Sequence, residues 1–281
     1  MSTRRPHIPR ILLAFDFDLT LGSHSVTEIC AHYGVSVDEW KRDFVEPLGD
    51  GWNEVMLHGE ALMALGRAKG QPLTDAVMAQ VARERIALFP GVLEMPGRLR
   101  AVAEGIAPGV MLEFVVLSSG YDEIITATPI VEAFDHVLSS GFHDDVDGEP
   151  FTCVKRAISH PDKALYLEAL GKGMSLDLAT GPDRAGDPVA PDDMHCPFDQ
   201  MIYLGDGESD LQAFGFLHSL GGLAIAVEGG GGFEPERITD VQRVDGVLPP
   251  DYSPGAPLMT ALEHAVRACA HRVALRGMGR S

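Results

Sequence analysis

Lysine is scarce in this 281-residue chain: Lys41, Lys69, Lys155, Lys163 and Lys172 are the complete set. With arginine they make 22 basic residues against 41 acidic ones, a net charge of −19. Nucleic acid is held by clustered lysine and arginine, so it is not an expected partner. A small phosphorylated molecule needs only a local cationic pocket and stays open. Cysteine is sparse too. Cys30, Cys153, Cys196 and Cys269 form no C-x-x-C pair, which argues against a zinc site or a disulfide framework and for reduced, structural thiols in a cytoplasmic protein. No apolar run is long enough to cross a bilayer. The basic start MSTRRPHIPR leads into an apolar run interrupted at Asp16, which is too short for a secretory signal. The eleven histidines include no H-x-x-x-H spacing. LGKGM lacks the hydroxyl residue of a P-loop, EGGGGF at 228–233 lacks a dinucleotide fingerprint, and no G-x-S-x-G elbow surrounds Ser118. No internal repeat is found.

What is present is a sequence of apolar runs ending in polar, chemistry-bearing residues. Ile11 to Phe15 read as a strand buried on both faces, and Asp16 and Asp18 follow it. Side chains alternate along a strand, so two carboxylates two residues apart point the same way, at the carboxyl edge where open α/β sheets keep ligands. Thr20, Gly22 and Ser23 read as turn or helix-cap residues. From about Ser25 to Phe89 the pattern is helical, with Thr74 capping DAVMAQVARERIALF. Strand and helix then alternate: helix PGVLEMPGRLRAVAEG with an early proline, strand VMLEFVVLSSG, helix YDEIITATPIVEAF, strand HVLSSGFHDD, helix PDKALYLEALGKG, then strand, Gly-rich turn and helix in QMIYLGDGESDLQAF, a last core strand LAIAVEG, and an amphipathic C-terminal helix. ATGPDRAGDPVAPDDMHCP and VDGVLPPDYSPGAP read as surface loops. This order predicts an α/β fold: a doubly wound parallel-sheet core over residues 1–22 and 90–281, with a helical cap at 23–89 inserted after the first strand.

Three further groups carry chemistry. In YLGDGESDL, Asp206 ends an apolar run and Asp210 lies one turn later, with Gly205 and Gly207 permitting a close approach. If that strand neighbours the first, Asp16, Asp206 and Asp210 converge. Three carboxylates at one point call for a cation, and an all-oxygen set favours Mg²⁺. Ser118, Ser119 and Gly120 end another strand, where hydroxyls and free N–H groups can hold an anion; plain helix capping is the bland alternative. Lys163 sits in the first turn of its helix, against the dipole, which suggests a functional post. Lys155 competes for it.

Taken in order, D-F-D-L-T, S-S-G, a helix-start lysine and G-D-G-x-x-D resemble the four motifs of the haloacid dehalogenase (HAD) superfamily. The helical insert resembles that superfamily's first-position cap, in the style of phosphoserine phosphatases, and PFDQMIYLGDGESDL with GGLAIAV resembles a bacterial HAD-like subgroup described only as hydrolases. The resemblance implies roles. Asp16 would be a nucleophile forming an aspartyl-phosphate, and Asp18 an acid and then a base. Mg²⁺ would be held by Asp16, the Asp18 carbonyl, Asp206 and Asp210. Ser118, the Ser119 N–H and Gly120 would line the phosphoryl site, and Lys163 would offset negative charge. Asp18 separates phosphate chemistry from dehalogenation, in which a halide leaves without an acid. The implied activity is hydrolysis of a small phosphorylated metabolite. A phosphomutase or phosphotransferase using the same aspartates, or a non-catalytic ligand-binding module, are the alternatives. Glu28 is displaced from the cap glutamate of phosphoserine phosphatases, so phosphoserine specificity does not carry over. Trp40, Arg42, Trp52, Asn53 and His58 are cap residues that could face a substrate. Oligomeric state is not legible.

Overall fold

The computed structural model describes residues 6–146, 148–174, 182–229 and 243–278. Its strands are β1 (Arg10–Phe15), β2 (Met111–Tyr121), β3 (His136–His143), β4 (Cys153–Arg156), β5 (Met201–Gly205), β6 (Leu223–Val227) and β7 (Gly246–Leu248). They form one sheet in the order β4-β3-β2-β1-β5-β6-β7. Every pairing is parallel except β3 with β4. β1 lies between β2 and β5, so chain order reverses beside it. Such a reversal opens a crevice at the carboxyl ends of the strands.

Alternation along β1 divides the core. Ile11, Leu13 and Phe15 face one apolar cluster, Leu12 and Ala14 the other, and all five are fully buried. This two-sided burial is why the run reads as unbroken hydrophobicity.

Between β1 and β2 come α1 (Ser25–His32), α2 (Val37–Trp40), α3 (Glu54–Ala68), α4 (Asp75–Glu84) and α5 (Met95–Glu104). Their starts are set by side-chain caps. His24 caps α1, Ser36 and Glu39 form a capping box on α2, Asn53 caps α3 and Thr74 caps α4. Each cap satisfies backbone N–H groups that would otherwise lack partners. The α1 cap is therefore His24 rather than Thr20 or Ser23. Ser23 instead accepts from the Ala87 N–H at 3.1 Å, tying the two ends of the helical insert together.

After β2, the expected single helix YDEIITATPIVEAF is two short ones, α6 (Asp122–Ile125) and α7 (Ile130–Ala133). The Thr126 hydroxyl donates to the Asp122 carbonyl at 2.6 Å and the Thr128 hydroxyl to the Ile125 carbonyl at 2.7 Å. Pro129 has no N–H to carry a ladder onward, so the helix stops and restarts. α8 (Asp162–Lys172), α9 (Leu211–Ser219) and α10 (Pro257–Gly277) follow their predicted segments. β4 and β7 are edge strands that periodicity did not reveal, and β7 lies in a stretch expected to be loop. Nearby, the buried Tyr252 donates to the Thr20 carbonyl at 2.8 Å, fastening the chain after β7 to the turn after β1. Of the other expected loop, 179–181 lie outside the described residues, as does most of EGGGGF.

Candidate active site

β1 ends at Phe15, and Asp16, Phe17 and Asp18 turn out over the sheet edge. Leu19 takes a positive φ of 56°, so the chain does not continue as a strand. Asp16 and Asp18 nevertheless both line one cavity, of about 340 Å³. The Asp16 N–H donates to the Leu204 carbonyl of β5 at 2.8 Å. One Asp16 oxygen accepts from the Phe17 N–H at 2.7 Å, and the other meets Lys163 Nζ at 2.8 Å.

Lys163 is wholly buried and bridges two carboxylates, with Asp210 Oδ1 at 2.7 Å. Burial opposes its charge, but the two carboxylates outweigh this and hold the ammonium above its ordinary range. Lys155 lies on β4 with its residue exposed, so geometry separates the two lysines that sequence could not.

Asp16, Asp206 and Asp210 each offer an oxygen within 4.8 Å of the others. Among the described residues this is the one such group of three or more potential ligands. Asp210 is fastened three more ways. Tyr203 Oη donates to it at 2.6 Å, and the Gly207 N–H and Ser209 Oγ each reach it at 3.3 Å. Gly205 is required here, because a Cβ at that position would overlap the Asp210 carboxylate. Burial first, then Lys163 acting in the opposite direction, sets Asp16 at about 6. Asp206 is pushed up to about 8, by burial and then by the negative charges of Asp16 and Asp210. Protein groups alone therefore do not hold all three as carboxylates at neutral pH.

Asp18 stands apart from this cluster. The Ser25 N–H donates to one of its oxygens at 2.6 Å and the Ser25 hydroxyl to the other at 2.8 Å. Ser118, Ser119 and Gly120 at the end of β2 line the same cavity. Ser118 Oγ accepts from the Gly120 N–H at 3.0 Å, leaving its own proton free to turn outward. Ser119 Oγ is buried with no hydrogen-bond partner among the described residues.

All the site residues expected from sequence are thus brought to one cavity or, for Lys163 and Asp210, to the carboxylate cluster at its floor. The cap candidates divide. His58 lines the cavity, beside Glu54, which sequence reasoning did not single out. Trp40 is buried under His58, ring centroids 5.2 Å apart. Arg42 is exposed and paired with Asp43, Asn53 caps α3, and Trp52 is half-exposed and donates to the Leu48 carbonyl. Ser25 and Tyr203 were also missed. Tyr203 had a signal, a single hydroxyl inside the apolar run of β5. Ser25 had none. A larger hollow of about 770 Å³ lies at the opposite sheet edge, but its charged groups Arg10, Glu113, His195 and His136 are engaged with one another.

No protein-family model matches the chain, and no curated protein does. Solved structures do. A HAD family hydrolase from Salmonella enterica subsp. enterica serovar Typhi superposes with a TM-score of 0.54 at 18% identity, over 88% of this chain and 69% of that one. A phosphoserine phosphatase holding an analogue of its phospho-aspartyl intermediate gives 0.52 at 19%, over 91% and 98%. The chain has the fold of the HAD-family hydrolases. A substrate-bound phosphoserine phosphatase complex agrees, at 0.52 and 17% identity over 94% and 99%. At these identities the likeness to the HAD fold covers architecture, and chemistry must be argued from the residues.

Proposed function

We propose that this HAD-fold protein is a Mg²⁺-dependent phosphomonoester hydrolase that acts on a small phosphorylated metabolite through an aspartyl-phosphate, with residues 23–89 serving as the cap domain. The observation that carries this reading is Lys163, buried between Asp16 and Asp210 beneath a cavity that Asp18 also lines. A solvated lysine has no reason to be there, whereas a site for a dianionic phosphoryl group does need such a cation.

The donor set fits Mg²⁺: Asp16, Asp206 and Asp210 present only oxygens, and two of the three resist ionising without a further cation. Bound there, with the Asp18 carbonyl as a further oxygen, the ion would supply positive charge to the phosphoryl group. Asp16 attacks phosphorus with the oxygen not engaged by Phe17, while Lys163 steadies it. The bond from phosphorus to the leaving oxygen breaks, and Asp18 delivers its proton to that oxygen. Water then attacks phosphorus, Asp18 takes up the water's proton, the bond from phosphorus to the Asp16 oxygen breaks, and inorganic phosphate leaves with Asp16 a free carboxylate again. Ser25 suits both states of Asp18, since a hydroxyl donates to a carboxylate and accepts from a carboxylic acid. Ser118 Oγ and the Ser119 N–H receive phosphoryl oxygens, and Gly120, where a Cβ would crowd Asp18 and Ser118, leaves room for them.

The test is phosphate release from a panel of phosphorylated metabolites, with Mg²⁺ and with EDTA. Release that needs the metal is expected. Metal-independent release, or transfer between sugars that requires a bisphosphate, would favour the other readings.

A second expectation concerns stability. Asp16 and Asp206 rise from the ordinary 3.8 to about 6 and about 8, so the folded chain binds protons more tightly than the unfolded chain in that window. Their contribution is full below about pH 4 and is lost as pH rises through those two values. In EDTA, the urea midpoint should fall between about pH 5 and 8. Glu123, raised by burial to about 7, adds to the fall. Saturating Mg²⁺ should relieve the part due to Asp16 and Asp206 by binding their charged forms. Equal pH profiles with and without Mg²⁺ would count against a metal at this cluster. No helix among the described residues is long and apolar enough to cross a membrane.

A further inference from the structure

Besides the residues of the phosphoryl site, the cavity is lined by one carboxylate and three imidazoles, Glu54, His24, His58 and His160. Glu54 opens α3 and His58 lies one turn on, so the two share a face of that helix. His24 comes from the turn before α1 and His160 from the turn before α8. Among the described residues, none of the side chains lining the cavity is an arginine or a lysine. Lys163, beneath it, is engaged by Asp16 and Asp210.

The wall's hydrogen-bonding pattern can be read atom by atom. His24 Nδ1 accepts from the Thr27 N–H at 3.3 Å, closing the α1 cap. With Nδ1 engaged in the cap, Nε2 is the ring nitrogen left to face a ligand. His58 is half-buried against Trp40, and desolvation depresses its protonation. A neutral imidazole offers one donor and one acceptor. A Glu54 carboxylate oxygen lies 3.4 Å from His160 Nε2.

We propose that Glu54, His24 and His58 form the leaving-group subsite, and that it takes a small polyol, so the substrate is a polyol phosphate rather than a phosphorylated acid. This rests on the phosphatase reading above and deepens it. A hydroxyl both donates and accepts, which matches a lining that offers a carboxylate acceptor beside imidazole nitrogens. A carboxylate on the leaving group would bring a second anion towards Glu54, with no guanidinium among the described lining residues to receive it in the paired geometry carboxylates favour. An ammonium would be drawn to Glu54, but it has three donors and no acceptor, so it leaves any ring N–H on the lining unanswered, and phosphoethanolamine tests it. A cavity of about 340 Å³ lies near the small end of ligand pockets, roughly 300–1,000 Å³, and holds a phosphoryl group with only a short leaving group.

The test uses a matched pair: glycerol 3-phosphate and 3-phosphoglycerate differ in one terminal group, CH₂OH against COO⁻. Phosphoethanolamine and an aryl phosphate complete the set. The kcat/KM for glycerol 3-phosphate is expected to exceed that for 3-phosphoglycerate by at least about tenfold. Glu54→Gln should narrow that ratio several-fold by removing the repelling charge, and His58→Arg should tilt it towards the acid. Each variant is read as a ratio of two esters on one preparation, so loss of folded protein cancels. A ratio at or below one, a preference for phosphoethanolamine, or turnover of the aryl ester alone overturns the subsite and leaves the phosphatase reading standing. An unchanged ratio in Glu54→Gln overturns the role of Glu54. No release from any ester, the aryl phosphate included, overturns the phosphatase reading itself.

Discussion

Asp16→Asn should lower Mg²⁺-dependent phosphate release by roughly 10⁴- to 10⁶-fold, the range seen when a residue of a nucleophilic machinery is removed. The amide keeps the shape of the carboxylate and can still accept from the Phe17 N–H. It cannot form the acyl-phosphate, because its oxygen is a poor nucleophile. Folding should survive. Asp16 is itself held in a strained protonation balance by burial, and Lys163 keeps Asp210 as a partner after the change. The variant should therefore melt no earlier than the parent in EDTA while losing turnover. Phosphate release within tenfold of the parent would remove Asp16 from the chemistry. Mass spectrometry on the parent, quenched during turnover, should place a phosphoryl adduct on Asp16. A mutase would show that adduct too, but would transfer the group to a second substrate instead of releasing it.

Lys163→Met carries the largest expected cost in stability. The side chain is wholly buried and makes two ion pairs of 2.7 and 2.8 Å. Removing one partner of a buried ionic group leaves uncompensated charge and typically costs about 3–5 kcal/mol. Methionine fills most of the volume, so the loss reports charge more than packing. Chemical denaturation in EDTA measures it. Mg²⁺ should recover part of the loss, since it neutralises the same carboxylates. Adding Asp210→Asn should recover part as well, by removing one of the stranded charges. Unchanged stability in Lys163→Met would mean that the aspartates simply take up protons at little cost, and the electrostatic account of the site would fail.

Position within the fold explains which of these residues could be found early. Asp16 and Asp206 follow β1 and β5, whose apolar runs are visible because both faces of a central parallel strand are buried. Once two such strands are neighbours, their carboxyl ends meet, and so do the residues that follow. The spacing of Asp210 after Asp206 is likewise local, one turn of chain. Ser118 to Gly120 were legible for the same reason. β4 and β7 were not. They have four and three residues and are strands because β3 and β6 offer them edges, a property of the neighbours rather than of their own pattern.

The sequence alone determined the α/β order, the helical insert after β1 and the identity of the carboxylates, because periodicity and strand-end position are short-range properties of a chain. Tertiary structure decided what depends on distant segments meeting. It chose Lys163 over Lys155, since only α8 carries its lysine inward between β1 and the turn after β5. It gave Asp18 its partner in Ser25. It also placed His24, Glu54, His58 and His160 on one wall. Helical spacing relates Glu54 to His58, but nothing in a linear pattern says which way α3 faces. Packing of Gly59 on Val154 and Phe142, with the Val55 carbonyl held by Tyr121, turns Glu54 and His58 to the cavity.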